Sequence, residues 1–297
     1  MAGIPVIDES SCTMCGQCVE ICPLDVLEHR DGFIVPTVEE CMLCSHCMCV
    51  CPVDAVSFDR DVLRGPEFST FEYKDRCMEK GDCGPHTLVD FVRSRRSVRR
   101  YRPDPVPGEV IQDLIEFGIT APSGSNCQDW EFTVLGSREK VWGLALDIRD
   151  FFLSINRMAR NPLIRYGSVL IMGRALLRYY RDHMATVEMA LEQGEKGRDL
   201  LFHGAPALII VHSSMEGSTP VEDAQFASYN IALLAHALGL GTCHIGYAVD
   251  SINRTGRLKG RLGIPAGHRV HSVMTLGYTD TEFTRPALRK PARVHWR

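Results

Sequence analysis

Residues 93–102 read RSRRSVRRYR, six arginines in ten positions, and the fold turns on what that charge is for. A nucleic-acid patch is the common reading of such a block. The rest of the chain argues against it. Its 297 residues carry 33 Lys/Arg against 37 Asp/Glu, a net charge of −4 that gives no long-range attraction to nucleic acid or to an anionic membrane. No recognition motif or aromatic platform accompanies the block. A solvated basic face is the plain alternative. The third reading is an anion clamp, because guanidinium forks pair bidentately with phosphate oxygens and a Ser hydroxyl adds a further donor. Arg95, Arg96, Ser97 and Arg99 can place several donors around one small anion.

Upstream of the block the charge is unevenly divided. Residues 1–60 carry ten Asp/Glu and two Arg, a net −8, and the remainder is +4, which suggests two modules. Nine of the 13 cysteines lie between Cys12 and Cys51. The opening residues show neither a basic start nor an apolar run, so metal ligation is favoured over disulfides and a soluble cytoplasmic protein is expected. The longest apolar candidate, PLIRYGSVLIMGRALLRYY, is broken by Arg165 and Arg174 before it reaches membrane-spanning length.

Two segments repeat one spacing. CTMCGQCVEICP supplies Cys12, Cys15, Cys18, Cys22 and Pro23; CMLCSHCMCVCP supplies Cys41, Cys44, Cys47, Cys51 and Pro52. Both read C-x2-C-x2-C-x3-C-P, the run that holds a 4Fe-4S cube while its fourth Cys crosses to the other cluster. One cluster is therefore expected on Cys12, Cys15, Cys18 and Cys51, the other on Cys41, Cys44, Cys47 and Cys22. Zinc is the alternative, but zinc sites use separated C-x2-4-C pairs and need no repeated triplet with a distant fourth Cys. Residues 1–60 resemble the two-cluster bacterial ferredoxins, which implies a two-fold repeat of hairpin and helix. LEHRDGFIVP fits the hairpin, with Asp31-Gly32 as its turn. Cys49 is off the spacing and is read as a buried thiol; Cys77 and Cys83 are read as structural. So small a module draws much of its folding energy from ligand bonds, and its apo form is expected to be poorly folded. Its acidic surface suits an electron carrier docking to a basic partner.

Residues 61–86, with Gly65-Pro66 and a Gly-Asp-Cys-Gly-Pro run, read as a linker to a second domain over 87–297. Thr87 and Asp90 have capping-box spacing, and Leu88, Phe91 and Val92 share a helical face. That helix must stop before Pro103. A second helical pattern (Val110, Ile111, Leu114, Ile115, Ile119) leads to APSGSNCQDWEF, Ala121 to Phe132.

Together, R-R-S-x-R and the later A-P-S-x-x-N-x-Q-x-W are similar to the nitroreductase family of flavoproteins. Four further stretches agree in order: HGAPALIIVHSS as a buried strand, EDAQFASYNIALLAHALGLGTCHIGY as a long helix ending at Gly239 before a glycine-rich turn, IPAGHRVHSVMTLGYT as a final strand, and RKPARVHW as a tail with late basic residues. The resemblance implies an α+β fold, a mixed sheet flanked by helices, with FMN bound at a homodimer interface. It implies that Arg95, Arg96, Ser97 and Arg99 hold the FMN phosphate, ribityl chain or ring edge. Pro122, Ser123, Gly124, Asn126 and Gln128 would line the flavin from the partner subunit, and backbone groups of Ile245 and Gly246 would approach the ring. Lys290 and Arg293 would add phosphate contacts. One departure stands out: Asp129 occupies the place where the family usually has Pro before the Trp. It is either a carboxylate near the flavin or a solvent-facing turn residue. Cys127 is read as packing.

FMN exchanges electrons singly or in pairs, whereas the clusters pass one at a time, so their union makes a converter whose position and potential the protein sets. No G-x-G-x-x-G follows a strand: Gly239, Gly241 and Gly246 miss that spacing, so a Rossmann nucleotide domain is not expected. The expected enzyme is an FMN-dependent oxidoreductase. Electrons enter through the clusters, from a separate ferredoxin or with NAD(P)H as the other donor. They leave through FMN to a small electron-poor organic acceptor such as a nitroaromatic, quinone or activated alkene. The same wiring run backwards is a dehydrogenase exporting electrons through the clusters; a redox sensor without an organic substrate is the reading from another class. No protein acid or base is evident, and His203, His236 and His244 read as hydrogen-bonded core residues. Residues 145–196 interleave Arg149, Arg157, Arg160, Arg165, Arg174, Arg178 and Arg181 with Phe151, Phe152, Tyr166, Tyr179 and Tyr180. This segment is read as a cover over the flavin, a solvated helical excursion, or a dock for the acidic module.

Overall fold

The run ALIIVHS, Ala207–Ser213, is apolar at nearly every position, so a strand there needs cover on both faces. In the computed structural model, which describes residues 3–297 apart from 39, 75, 162–166, 168–180 and 182–183, all seven residues are buried. This strand, β6, lies inside a four-stranded antiparallel sheet of order β5-β6-β8-β7, with β5 at Glu131–Leu135, β7 at Gly241–His244 and β8 at Arg269–Gly277. Side chains alternate across a strand. Leu208 and Ile210 of β6 and Val273 of β8 therefore share one core with Leu144 and Ile148 of α5 (Arg138–Ala159) and Ile252 of α8 (Gly246–Arg254). Ala207, Ile209 and Val211, with Met274 and Leu276, share the other with Ile111 and Leu114 of α4 (Gly108–Gly118) and Ala227 and Ile231 of α7 (Pro220–Ala237). Gly118 makes the second layer possible, since a Cβ there would sit 2.7 Å from Cγ1 of Ile231.

The chain forms two compact units, Met1–Glu67 with Pro122–Gln128, and Phe68–Ala121 with Asp129–Arg297. In the first unit, β1 (Val6–Ile7) pairs with β4 (Val56–Ser57), and β2 (Leu27–Arg30) pairs with β3 (Phe33–Pro36). Asp31 and Gly32 both have positive φ, 51° and 85°, the twist that a tight hairpin turn demands. Two short helices, α1 (Gln17–Glu20) and α2 (His46–Val50), complete the repeat. The core is small, and thiols form part of it: Cys18 and Cys47 are buried with Leu27, Ile34 and Val56.

Several expectations are corrected. Helix α3 (Pro85–Ser94) begins two residues before Thr87, and no side chain caps it. Proline, with its fixed φ and missing N–H, is preorganised for the first helical position, so Thr87 falls inside the first turn. No residue of α3 is buried, and Leu88 is 54% exposed. The glycine-rich stretch after α7 is only partly a turn: Gly239 has φ 77°, but Gly241–His244 is strand β7. Cys49 is exposed, because it follows the buried Cys47 by two residues on α2 and faces the opposite side. Cys77 and Cys83 are exposed as well and hold no core together. The segment read as a linker is anchored within its first half: the backbone N–H and hydroxyl groups of Ser69 and Thr70 all donate to the carboxylate of Asp113, which is 1% exposed on α4.

Candidate functional site

The cysteine loops are shaped by residues in the left-handed region. Met14 and Gly16 in the first repeat have φ of 58° and 76°; Leu43 and Ser45 in the second have 56° and 61°. These turns aim three sulfurs inward from each C-x2-C-x2-C run. Cys12, Cys15 and Cys18 line one small pocket, and the fourth thiol on its wall is Cys51. Cys41, Cys44 and Cys47 line another, joined by Cys22. The fourth thiols cross between repeats. Each receives a matching bond: the N–H of Val26 donates to Cys22 Sγ at 3.3 Å and that of Ala55 to Cys51 Sγ at 3.2 Å. Leu43 N–H also donates to Cys41 Sγ at 3.3 Å. Burial pushes the Cys18 thiol up and that of Cys47 up to about 11, so a thiolate there needs a cation to form at neutral pH.

The spacing of the sulfurs tests what such a set can hold. Around a tetrahedral zinc ion, with Zn–S near 2.3 Å, sulfurs lie about 3.8 Å apart. Among the described residues, no three of these thiols come within 4.8 Å of one another. The sets are too wide for one zinc ion, and N–H···S bonds are the contacts that tune an iron–sulfur cluster. The residues fit the clusters expected of them. The one group of His, Cys, Asp and Glu atoms that does approach within 4.8 Å among the described residues is Glu131, His212 and His268. His212 sits at the bulge of β6, and its Nδ1 is 3.1 Å from Nδ1 of His268.

In the second unit the arginine block leaves the helix at Ser94 and runs extended along the free edge of β7. Ser97 bridges Thr242, and Val98 N–H donates to the Thr242 carbonyl at 2.9 Å. The Tyr101 hydroxyl is 2.9 Å from the Val98 carbonyl and 2.6 Å from Oγ1 of Thr275, and Thr279 Oγ1 donates to the Arg100 carbonyl at 2.8 Å. Gly241 permits the approach: a Cβ there would meet Val98 Cγ2 at 2.7 Å. Tyr101 and Gly241 were invisible as site residues in the sequence, since only the strand pairing gives them a role.

Arg95 lies over the ring of Tyr229, its guanidinium carbon 5.9 Å from the centroid, and Arg96 over that of Phe283 at 5.5 Å. Nε of Arg95 is buried and has no hydrogen-bond partner among the described residues. A buried charged donor left unsatisfied is costly, so an anion fits this position. Beside it, His236 Nε2 lies 2.7 Å from Ser94 Oγ and His244 Nδ1 lies 3.0 Å from Ser272 Oγ. Burial first, and the Arg95 charge second, lower both imidazole pKa values, which keeps them neutral. Ile245 and Gly246 open α8 and line a cavity of about 340 Å³ with His244, Asn253, Arg269 and His271. Tyr247, the next residue, faces a second and mainly apolar cavity of about 320 Å³ between α5 and α6 (Met184–Glu195), with Trp142, Phe152, Val187, Leu191 and Leu201. From the arginine-rich segment Arg149 reaches this cavity, whereas Arg165, Arg174, Arg178, Tyr166, Tyr179 and Tyr180 lie outside the described residues.

The remaining expected site residues are placed otherwise. Pro122, Ser123, Gly124, Asn126 and Gln128 belong to the first compact unit, and the amide of Asn126 donates to the carbonyls of Met42 and Leu43. Asp129 is exposed, and Lys290 and Arg293 lie exposed in the irregular tail.

Comparison with known proteins agrees with both halves. A 4Fe-4S binding domain model matches residues 5–28, and the nitroreductase family model matches residues 92–278. The chain is 27% identical to a 4-nitrobenzoate reductase of Pseudomonas putida over 218 residues, 68% of this chain and 90% of that protein. It is 25% identical to iodotyrosine deiodinase 1 of Homo sapiens over 231 residues, 75% of this chain and 71% of that protein. The fold is that of a nitroreductase with bound FMN from Bacteroides fragilis, at TM-score 0.52 and 22% identity over 70% of this chain and 97% of that one. With the family model spanning the arginine block, both sheet cores and the final strand, this chain belongs to the nitroreductase family.

Proposed function

We propose that this nitroreductase-family enzyme is an iron–sulfur flavoprotein oxidoreductase that delivers electrons through two 4Fe-4S clusters and FMN to a small electron-poor organic acceptor. When bound, the clusters supply single-electron relay, and FMN supplies the exchange between single electrons and pairs. The crossed thiol sets carry the reading, because two groups of four cysteines, each with its fourth thiol from the other repeat, stand in a chain whose larger part matches the nitroreductase family.

The chain's own residues divide the work. Cys12, Cys15, Cys18 and Cys51 would hold one cluster and Cys41, Cys44, Cys47 and Cys22 the other. Arg95, Arg96, Ser97 and Arg99 would hold the FMN phosphate and ribityl chain, with Lys290 and Arg293 as further cations. Arg95 supports this with a buried donor awaiting an anion. Backbone groups of Ile245 and Gly246 would orient the ring, beside the neutral His244. No side chain is assigned as acid or base, and protons are drawn from solvent. The apolar cavity beside Tyr247 suits an aromatic or quinonoid acceptor, with Arg149 at its wall for a nitro or carboxylate group. A homodimer is part of this reading, and a separate ferredoxin is the favoured donor over NAD(P)H.

Oxygen-free purification followed by iron, sulfide and flavin assay tests the cofactors: about eight iron atoms and eight sulfides are expected for two cubes, with one FMN per chain. Reduction by a low-potential ferredoxin, by NAD(P)H and by candidate substrates, each followed by rapid mixing with nitroaromatics and quinones, tests donor, acceptor and direction. Colourless protein without sulfide or flavin would end the proposal.

A further inference from the structure

The strand ALIIVHS is apolar up to Val211, and His212 then places an imidazole where the residue is only 2% exposed. Buried polar groups need hydrogen-bond partners. Nε2 of His212 lies 3.0 Å from Oγ1 of Thr133, and Nδ1 lies 3.1 Å from Nδ1 of His268. Glu131 is the direct partner of His212 across β5 and β6, so both side chains leave the same face of the sheet. Its Oε1 lies 3.9 Å from Nε2 of His268. One donor atom from each of the three gathers within 4.8 Å of the others, and neither the cluster sites nor the flavin site uses them.

The surrounding chain holds these donors in place. His212 stands where β6 shifts register against β8, a bulge of the kind that re-aims a side chain. His268, just before β8, is tied at both of its backbone groups. Its N–H donates to the Pro265 carbonyl at 3.0 Å, and its carbonyl accepts from Lys259 Nζ at 2.6 Å. Asn253 then exchanges two hydrogen bonds with the backbone of Val270. Glu131 is exposed, so its carboxylate can close the remaining distance by a change of rotamer.

A ligating imidazole commonly gives its other N–H to an oxygen, and Thr133 Oγ1 is placed to accept that of His212. Nδ1 then turns its lone pair toward His268. Nitrogens bound at about 2.0–2.1 Å to a tetrahedral zinc ion lie about 3.3–3.4 Å apart, which a small ring shift reaches from the present geometry. Burial lowers the His212 pKa and keeps the ring in the neutral form that ligates. Two imidazoles and a carboxylate suit zinc and similar transition metals; calcium and magnesium take oxygen ligands.

We propose that Glu131, His212 and His268 bind one divalent transition-metal ion, of which zinc is the type, and that this ion pins β5, the bulge of β6 and the entry to β8 together. Three protein ligands leave a fourth position for water. The proposal is independent of the cluster and flavin reading, since all three residues lie in the second unit.

The test uses the full-length protein, purified without oxygen. Its exposed thiols, Cys49, Cys77 and Cys83, are alkylated so that they do not compete for metal. Iron is measured before and after addition of one equivalent of zinc chloride. Zinc-edge X-ray absorption should show nitrogen and oxygen at about 2.0–2.1 Å with imidazole scattering, no sulfur near about 2.3 Å, and undiminished iron. In competition with a chromophoric chelator, His268→Gln and Glu131→Gln should each weaken zinc binding by at least about tenfold. Neither residue is buried, so both variants should keep the fold, which circular dichroism checks; the buried His212 is left intact. Zinc should raise the melting temperature of the wild-type second unit and leave that of either variant unmoved. A sulfur shell, zinc uptake only with loss of iron, no uptake by the wild type, or unchanged affinity in either variant each overturns the site.

Discussion

Asp113 shows how one buried carboxylate sets a boundary. Burial alone would raise its pKa, but hydrogen bonds from Thr70 and Ser69 outweigh it and hold the group below its ordinary 3.8. A carboxylate depressed in the folded state stabilises it at neutral pH, and that contribution is lost as pH falls from the ordinary carboxylate range through the folded value. Asp113→Asn leaves one acceptor oxygen for four donors and turns the other into a donor, with a cost of about 1–3 kcal/mol. Urea unfolding of the second unit at pH 7 should show that loss, and the variant's stability should fall less steeply than the wild type's between neutral pH and about pH 3. Arg95 makes the complementary case. Its unsatisfied Nε calls for an anion, and Lys has no planar fork to replace it. Hydrogen bonds to charged groups contribute about 1.5–3 kcal/mol, so Arg95→Lys and Arg95→Ala should each weaken FMN binding by roughly ten- to a hundredfold. Flavin fluorescence titration of the apo-flavoprotein reads this directly.

At the scale of elements, the arginine block depends on the edge of β7, and β7 depends on Gly241. A methyl group at Gly241 would intrude on Val98, and overpacking of this kind costs about 1–3 kcal/mol. Gly241→Ala should lower the melting temperature of the second unit and release flavin more readily than the wild type, since the displaced strand carries Arg95 to Arg99. Which elements were legible follows from the same locality. The cysteine loops, the Asp31-Gly32 hairpin, β6, α7 and β8 carry their signals within a few adjacent residues, as ligand spacing, turn chemistry or unbroken apolar runs. β7 carries no such signal: Gly-Thr-Cys-His is short and glycine-flanked, and it becomes a strand only because β8 pairs with it. The start of α3 was misread because Thr87 and Asp90 have the right spacing in the wrong frame, one that Pro85 overrides. For the site, residue types were legible and commitments were not. Nothing near Asn126 in sequence announces that its amide belongs to Met42 and Leu43, and nothing near Asp113 announces Ser69 and Thr70.

For the whole molecule, the crossed thiols make a prediction that neither repeat would make alone. Cys22 lies in the first motif, yet it stands on the wall of the Cys41 cavity. If the proposed clusters are held as inferred above, Cys22→Ser should therefore perturb the spectrum and midpoint of the one on Cys41, Cys44 and Cys47, and leave the one on Cys12, Cys15, Cys18 and Cys51 intact; anaerobic paramagnetic resonance distinguishes the two. The buried cluster of the first unit is small, and a module of this size draws much of its folding energy from bound metal. Chelation of iron should unfold that unit while the sheet of the second persists, giving two separated transitions in place of one.

The seven residues Pro122–Gln128 also bear on biosynthesis. Domains tend to fold in order as the chain leaves the ribosome. Here the cysteine half emerges early but stays unfinished until its last piece, encoded beyond the midpoint of the stretch separating it from the sheet, has been translated. Iron–sulfur assembly factors acting on the nascent chain would meet an open Cys41 loop, and metal loading and closure of that loop would become successive events in one ordered maturation.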